Sequence, residues 1–398
     1  IDLDQLEKYI NIFENSNKKI KITVNTLKKE FMERFKDNIY TVNFSDSSFL
    51  SLPEELKPLT NLQTLNLANC QLNELPDWIG EFTNLENLNL SGGNLTKINE
   101  SIGMLTKLKN LNLSKNYLLG ELPQSIQFLK DLQVLNISLT SIKSLPLEMK
   151  NLTNLETFTA TGLGELPEWI GNLKNLQSLS LSKCQFMKLP ESFGSLINLQ
   201  SLDLNETTCL YLINDPMISS RLEKLKNLRT LNLVGLETLP DWIGGLRNIE
   251  TLYLSCAVLP DWIGDLTNLK NLNLTNCRRL KIDCNFTNLT NLTTFSLPYK
   301  LDYFDRLKIF LELPSTKKQG LFNEIFTSNQ NCIKSILKNL DFYNLNADLI
   351  SNIDNENSDL NVFNSFLLYS RLFPDKREEI FSILFTQGDK RNVINRKL

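Results

Sequence analysis

The chain has 398 residues, with 42 lysines and arginines against 45 aspartates and glutamates, a formal net charge of −3 and no histidine. The absence of histidine excludes Ser-His-Asp and Cys-His catalysis, His-Glu-x-x-His metalloproteases and Cys2His2 zinc sites. The balanced charge gives no basic footprint for nucleic acid, and no run of 18 apolar residues predicts a membrane-spanning helix. We therefore expect no nucleic-acid partner, no membrane insertion, and neither a metal nor a cofactor.

The cysteines and the glycosylation sequons bear on the compartment. Seven cysteines are spread along the chain without a Cys-x-x-Cys pair, which is typical of reduced thiols. Asn-x-Ser/Thr sequons fall at Asn89, Asn112, Asn136 and Asn273, where glycans would cover the candidate binding face described below. Both observations favour a cytoplasmic protein.

Residues 1–38 precede the repeats and are predicted to form a helical N-terminal cap. Leu3, Leu6, Tyr9 and Phe13 have helical spacing, whereas residues 19–24 alternate like a short strand. A stack of repeats exposes an apolar end that needs such a cover. The alternative is that this segment ends a domain further upstream.

One phrase then repeats along the chain, first complete as Leu62-Gln63-Thr64-Leu65-Asn66-Leu67. It starts again at Leu85, Leu108, Leu132, Leu155, Leu176, Leu199, Leu228, Ile249, Leu269 and Leu292, and a degenerate copy begins at Ile39. Spacings of 20 to 29 residues, most often 23, are typical of a solenoid, in which each repeat adds one parallel strand. We therefore predict an α/β fold over 39–300, with a curved parallel sheet on the concave side and short helices on the convex side.

The second half of each repeat carries the convex formula Leu-Pro-x-x-Ile. All four tryptophans lie in it, as in Leu75-Pro76-Asp77-Trp78-Ile79-Gly80. Proline suits the first position of a short helix, and the acid that follows suits the positive end of the helix dipole. Tryptophans at equivalent repeat positions indicate packing of the outer layer more readily than a ligand cage.

These phrases resemble the 23-residue class of leucine-rich repeats, with Leu52-Pro53-Glu54-Glu55-Leu56 and Thr60-Asn61-Leu62 as examples. That class is similar to cytoplasmic Ras-scaffold repeats, plant Ras-group repeats and many bacterial repeat proteins. The resemblance implies a protein partner of unstated identity. The asparagine- and lysine-rich composition favours a bacterial source.

A polar interior position follows each strand. It holds Cys70, Gly93, Asn116, Thr140, Cys184, Thr207 and Cys277. Asparagine there can bond to the backbone of neighbouring turns, and cysteine or threonine can replace it. We therefore expect these cysteines to be structural and poorly reactive.

The concave face is predicted to be small, polar and nearly uncharged. Interface anchors favour Trp, Tyr and Arg, and the outward strand positions supply Tyr253 alone, with Tyr299 in the next column. The repeat at Leu199 is six residues longer than the usual 23, so Leu210, Tyr211, Leu212 and Ile213 are further candidates on an inserted loop. The alternative is a bulge or an extra helical turn.

Residues 301–398 lose the period and show short helical stretches, which predict a small helical C-terminal domain or extended cap. They contain no catalytic motif: no Cys-x-Asp nucleophile of repeat-bearing ubiquitin ligases and no Gly-x-x-x-x-Gly-Lys phosphate loop. The prediction is a monomeric, non-catalytic protein-interaction scaffold. The alternative is a bacterial effector whose repeats deliver a substrate to an attached ubiquitin-ligase-like domain.

Overall fold

The structure is a computed structural model. It describes residues 21–22, 36–48, 50–209, 215–236, 238–277, 280–282, 284–299, 301, 306, 309, 312–314, 316–317 and 321. Two compact units divide the chain: unit 1 extends to residue 253 without 237–239, and unit 2 takes 237–239 and the residues from 254 onward. Most of the cap expected over 1–38 and of the helical region expected over 301–398 lies outside the described residues, so both stay predictions.

Unit 1 is built on parallel strands that follow one another in chain order. They are β1 Lys21–Ile22, β2 Thr41–Asn43, β3 Thr64–Asn66, β4 Asn87–Asn89, β5 Asn110–Asn112, β6 Val134–Ile137, β7 Thr157–Ala160, β8 Ser178–Ser180, β9 Ser201–Asp203, β10 Thr230–Leu233 and β11 Thr251–Leu254. The register places the central leucine of each strand opposite the next, as Leu65 opposite Leu88 and Leu88 opposite Leu111. The parallel solenoid predicted from the repeat is confirmed.

The strands are shorter than the six-residue phrase. Only Thr64–Asn66 of the phrase 62–67 is strand, because the N–H of Leu62 already bonds back to the Leu59 carbonyl at 3.0 Å in a turn. Leu62, Leu65 and Leu67 are nevertheless all buried. Each such leucine contributes about 1.5–3 kcal/mol of hydrophobic stabilisation, so the core includes leucines on both sides of the three-residue strand.

The turns opposite the strands are single 3₁₀ turns. In unit 1 they are Lys36–Asn38, Glu54–Leu56, Asp77–Glu81, Glu100–Met104, Gln124–Phe128, Leu147–Asn151, Glu168–Asn172, Glu191–Ser195 and Asp241–Gly245. The proline was expected at the first helical position, but Pro76 is extended (φ −70°, ψ 153°) and precedes the turn. The Pro76 carbonyl accepts the N–H of Ile79 at 3.0 Å, so the proline caps the turn although it is not part of it.

The outer layer of unit 1 packs through tryptophan and glycine. Trp169 and Trp242 are each 9 % exposed and pack there as expected, whereas Trp78 is only half-buried. Gly171 lies against the next turn so closely that a Cβ there would overlap the carbonyl of Ser192. Gly162, in a shortened repeat, has φ +74° as expected for a tightened loop.

The interior position binds backbone as predicted. The Nδ2 group of Asn116 donates to the carbonyls of Leu90 (2.9 Å) and Leu113 (2.8 Å), and its Oδ1 accepts the Leu95 N–H at 3.1 Å. The Cys70 thiol similarly donates to the carbonyl of Phe44 in the preceding repeat at 3.1 Å.

Thr140 departs from this pattern. Its hydroxyl donates to the Ile137 carbonyl of its own repeat at 2.8 Å, and not to the preceding one. At this position the side chain therefore makes no hydrogen bond to the preceding repeat, whereas Asn116 and Cys70 do.

The long repeat contains the one regular α-helix bounded in the described residues, α1 Pro216–Leu222. Asp215 caps it by accepting the N–H of Met217 at 2.8 Å, and Ile218 and Leu222 are buried. Proline at the first position and an aspartate cap are typical helix-start signals. The extra helical turn considered for this repeat is present.

Unit 2 continues the same construction. Its strands are β12 Val258–Leu259, β13 Asn271–Asn273, β14 Lys281–Ile282 and β15 Thr294–Ser296, and its 3₁₀ turn is Asp261–Asp265. β13 pairs in parallel with β15, and β12 pairs in parallel with β14. Phe286 and Phe295 pack together with ring centres 5.5 Å apart in its core.

Candidate functional site

The outward face of β3 to β6 in unit 1 is a shallow amide-lined surface. Its side chains are Thr64, Asn66, Asn87, Asn89, Asn110, Asn112, Val134 and Asn136, which surround a depression of about 380 Å³. None of these side chains carries a charge, as the sequence predicted for this face.

One column of this face presents hydrogen-bond donors, and we call it the donor row. Its members are Asn66, Asn89, Asn112 and Asn136. In each, the side-chain Oδ1 accepts the backbone N–H two residues further on at 3.0–3.1 Å. Their Nδ2 groups have no protein partner within the part of the chain that the structure describes. Because the acceptor of each amide is used internally, the row offers N–H donors to a ligand.

The side chains of the neighbouring column hydrogen-bond to one another. Asn110 donates its Nδ2 hydrogen to the Oδ1 of Asn87 at 2.6 Å, and Asn87 donates to the hydroxyl of Thr64 at 3.3 Å. These bonds fix the side chains along three strands. The donor row therefore stands beside a rigid, preorganised column.

A group of exposed apolar side chains, which we call the apolar rim, lies on the loops that follow β5 and β6. Tyr117 is 63 % exposed, Leu118 65 % and Leu139 42 %. The two loops are joined where the Ser141 hydroxyl donates to the Tyr117 carbonyl at 2.6 Å. Large apolar side chains grouped on a soluble surface mark interaction sites.

Leu139 is also held in an unusual backbone conformation. Its φ is +57°, in the left-handed region that costs most residues 1–2 kcal/mol (roughly). Asn69, Gly92 and Lys115 occupy the equivalent position in preceding repeats, and asparagine and glycine suit it better. The Leu139 N–H is held by the Thr161 hydroxyl at 2.7 Å. Lys183 and Glu206 of later repeats adopt the same conformation, so it belongs to the repeat, and what distinguishes this repeat is the exposed leucine that it carries there.

The apolar rim was not predicted from the sequence, although the sequence contains a signal for it. The repeat from Leu108 to Leu132 spans 24 residues and not 23. The extra residue falls between Asn116 and Leu119, so that Tyr117 and Leu118 stand where other repeats have one residue.

Cations flank the apolar rim. Lys115 is exposed and takes part in no ion pair among the described residues. Lys143 donates its Nζ hydrogen to the Gly162 carbonyl at 3.1 Å, which leaves its charge without a carboxylate partner there. The local charge therefore favours an acidic ligand.

The site residues predicted from sequence are distributed differently. Leu210, Tyr211, Leu212 and Ile213 lie outside the described residues, so the structure does not test them. Tyr253 lies half-buried on β11 of unit 1, and Tyr299 is 80 % exposed after β15 of unit 2.

A second depression of unit 1, about 350 Å³, lies where β8 to β11 begin. It is lined by Asn175, Gln177, Asn198, Gln200, Asn227, Arg229 and Asn248. The asparagines are used internally, as where Asn198 donates to the Lys174 carbonyl at 2.9 Å, and Arg229 pairs with Glu250 at 2.8 Å. Its polar groups serve the repeat architecture.

The described residues offer little reactive chemistry. They contain no group of His, Cys, Asp or Glu side chains that could hold a metal ion, and no helix among them is long and apolar enough to cross a membrane. Burial raises the pKa of Cys184 from 9.0 to about 11 and that of Cys209 to about 12. These thiols are protonated at neutral pH and therefore poor nucleophiles.

Comparisons with known families agree with the repeat architecture. A family described as leucine-rich repeat region matches residues 92–205, and the R13L1/DRL21 leucine-rich repeats match residues 34–116. No curated protein matches the chain at a significant level.

Solved structures with the same fold come from bacteria and plants. The leucine-rich-repeat protein LIC12759 of Leptospira interrogans has a TM-score of 0.56 and 26 % identity, over 74 % of this chain and 88 % of that one. The plant peptide hormone receptor RGFR1, in complex with RGF2, has a TM-score of 0.51 and 26 % identity, over 71 % and 46 % of the two chains. An internalin of Listeria monocytogenes, InlF, shares the fold at a TM-score of 0.50 and 19 % identity, over 68 % and 83 %.

Proposed function

Because the chain is a leucine-rich-repeat protein, we propose that it is a non-catalytic protein-interaction scaffold whose partner binds unit 1 across the donor row and the apolar rim. The observation that carries the proposal is the apolar rim itself. Tyr117, Leu118 and Leu139 expose apolar surface beside a rigid polar face, and the fold does not require them there.

The chemistry of the surface suggests the chemistry of the partner. Exposed Tyr and Leu side chains provide an anchor site for an apolar side chain, since buried aromatic contacts dominate interface energies. The donor row would take backbone or side-chain carbonyl oxygens, and the lysines at 115 and 143 favour carboxylates. We infer a polypeptide segment with an apolar anchor and acidic neighbours.

The surface predicted from sequence remains a second proposal for the same function. Residues 210–213 with Tyr253 would form it on unit 1, and Tyr299 is a separate candidate on unit 2. The half-buried position of Tyr253 gives it less free surface than Tyr117, so we rank the apolar rim first.

The proposal extends to the compartment and the oligomeric state. We propose that the scaffold acts in a reducing compartment such as a bacterial cytoplasm, and as a monomer. Support for the reducing compartment comes from the six cysteines of the described residues, which are all buried free thiols. The effector alternative requires an attached ubiquitin-ligase-like activity, which incubation with ubiquitin and its charging enzymes would detect.

The test uses a triple variant of the apolar rim, Tyr117→Ser, Leu118→Ser and Leu139→Asn, as bait in affinity capture with quantitative mass spectrometry. A protein captured by the wild type should be depleted at least tenfold on the variant, a loss of about 1.4 kcal/mol or more in binding free energy.

The matched control is Met104→Ser with Phe128→Ser, because these side chains are similarly exposed (57 % and 53 %) but lie on the 3₁₀ turns. Equal capture by wild type, triple variant and control would refute the proposed surface. Both variants should keep the wild-type circular dichroism spectrum.

A further inference from the structure

Two thiols of unit 2, those of Cys256 and Cys277, lie in contact with each other. The Sγ atoms of Cys256 and Cys277 are 3.9 Å apart, and the backbone N–H of Cys256 donates to the Cys277 sulfur at 3.2 Å. Cys70 and Cys184, by contrast, are hydrogen-bonded through their thiols only to backbone carbonyls. The Cys277 thiol makes this interior bond too, to the Leu254 carbonyl at 3.7 Å, but it differs from the others because it also contacts the Cys256 sulfur.

The backbone holds the two cysteines side by side. Cys256 precedes β12 and Cys277 precedes β14, and these strands pair in parallel with Val258 opposite Lys281. The N–H of Lys281 donates to the Ala257 carbonyl at 2.7 Å, which ties the segments together next to the thiols. Paired residues of these strands are 23 apart in sequence whereas the two cysteines are 21 apart, so the cysteines face each other diagonally, and the Cys256 N–H on the Cys277 sulfur holds them together.

We propose that Cys256 and Cys277 form a reversible disulfide when the protein meets a hydroperoxide. The present contact must shorten from 3.9 Å to about 2.05 Å. Side-chain rotation can supply this movement, since the tied backbone already brings the sulfurs within van der Waals contact.

Cys277 is the attacking sulfur. When Cys277 is ionised, the Cys256 thiol and the Cys256 N–H can both donate to its sulfur, which lowers the pKa of Cys277 although burial raises it. The same contact raises the pKa of Cys256, which keeps its proton. Only a thiolate attacks a peroxide efficiently.

The reaction balances in two steps. The Cys277 thiolate attacks one peroxide oxygen, the O–O bond breaks, and the other oxygen leaves and takes a proton to give water from hydrogen peroxide or an alcohol from an alkyl hydroperoxide. The Cys256 sulfur then attacks the sulfenic Sγ of Cys277, and the S–O bond breaks as water leaves with the thiol proton. Two thiols lose two electrons, and the peroxide gains them.

Burial sets the rate and the consequence. Both cysteines are 3 % exposed, so oxidation depends on a small oxidant and on local opening. The bond would join two segments 21 residues apart in sequence and restrain unit 2. Disulfide formation would therefore be slow and would require sustained exposure to the oxidant.

The experiment maps disulfides in the full-length wild-type protein. Reduced protein is treated with hydrogen peroxide, blocked with N-ethylmaleimide and digested with trypsin without reductant. Cleavage after Arg247, Lys270 and Arg278 puts the two cysteines in peptides 248–270 and 271–278. We expect these peptides to be joined, with a loss of two hydrogens, in most molecules, and the link to disappear after reduction.

Variants separate the pair from general oxidation. Cys256→Ser and Cys277→Ser should each abolish the joined peptide, whereas Cys184→Ser should keep it. A predominant link from Cys256 to Cys284, or the same yield of a Cys184–Cys209 link, would overturn the assignment. So would an unchanged count of free thiols in denatured wild type after peroxide treatment, because the proposal requires a loss of two.

Discussion

The side chain of Asn116 offers a direct measure of what the interior position contributes. It is fully buried and makes three close bonds, to the Leu90 carbonyl, the Leu113 carbonyl and the Leu95 N–H, besides a longer one of 3.5 Å to the Ser114 carbonyl. Asn116→Ala removes all three, each contributing about 1 kcal/mol net, and leaves buried backbone groups without partners at about 1–3 kcal/mol each where water cannot replace the amide. We expect a loss of roughly 3–5 kcal/mol.

Urea unfolding followed by tryptophan fluorescence measures this loss. Asn94→Ala is the matched control, because Asn94 is an exposed asparagine of the preceding repeat; it should change stability by less than about 0.5 kcal/mol. Asn116→Thr should fall between the two, since Thr207 still makes one such bond, to the Leu181 carbonyl at 2.8 Å. A loss below about 1 kcal/mol for Asn116→Ala would refute the view that this side chain couples the repeats.

Three further outcomes are expected. Leu111→Asp should unfold the surrounding repeats, because it places a carboxylate in a core position that is 1 % exposed, and a wild-type melting curve would refute the register. Leu139→Asn should leave the free energy of unfolding within about 1 kcal/mol of wild type, because relief of the left-handed strain offsets the lost apolar contact. A loss of more than about 2 kcal/mol would instead show that Leu139 is a core residue. Cys70 and Cys184 should react with thiol reagents only after denaturation. The raised pKa of Cys184 stabilises the fold fully below pH 9.0, and this stabilisation is lost as the pH rises through about 11. Over that interval the wild type should therefore lose more stability than Cys184→Ala.

The repeat period predicted the core because leucine spacing and burial are linked directly. Leu65 and Leu111 are buried where the phrase placed them, and Asn116 bonds as an interior asparagine should. The type of turn was less predictable. The same sequence signals fit two structures: an extended proline that precedes a 3₁₀ turn, and a short helix whose first residue is proline. The tight stacking of neighbouring turns decides between the two.

The candidate site was harder to predict than the fold. Tyr117 and Leu118 differ from other repeats by a single inserted residue, which the sequence alone does not distinguish from ordinary variation. The left-handed conformation of Leu139 follows from its place in the loop and contradicts its own preference. The use of each Oδ1 in the donor row depends on loop geometry that composition does not show.

The local bond of Thr140 has a consequence for how unit 1 comes apart. Asn116 fastens its repeat to the one before, whereas Thr140 bonds only to Ile137 of its own repeat. At this junction the exposed residue Ser141 joins the two repeats instead, since its N–H and its hydroxyl donate to the Leu119 and Tyr117 carbonyls at 2.9 and 2.6 Å, so the coupling of neighbouring repeats depends here on surface bonds. Tyr117 and Leu139 stand on opposite sides of this junction. A ligand that touches both would therefore act as a clasp, and its binding would appear as sharper, more cooperative melting of the stretches on either side.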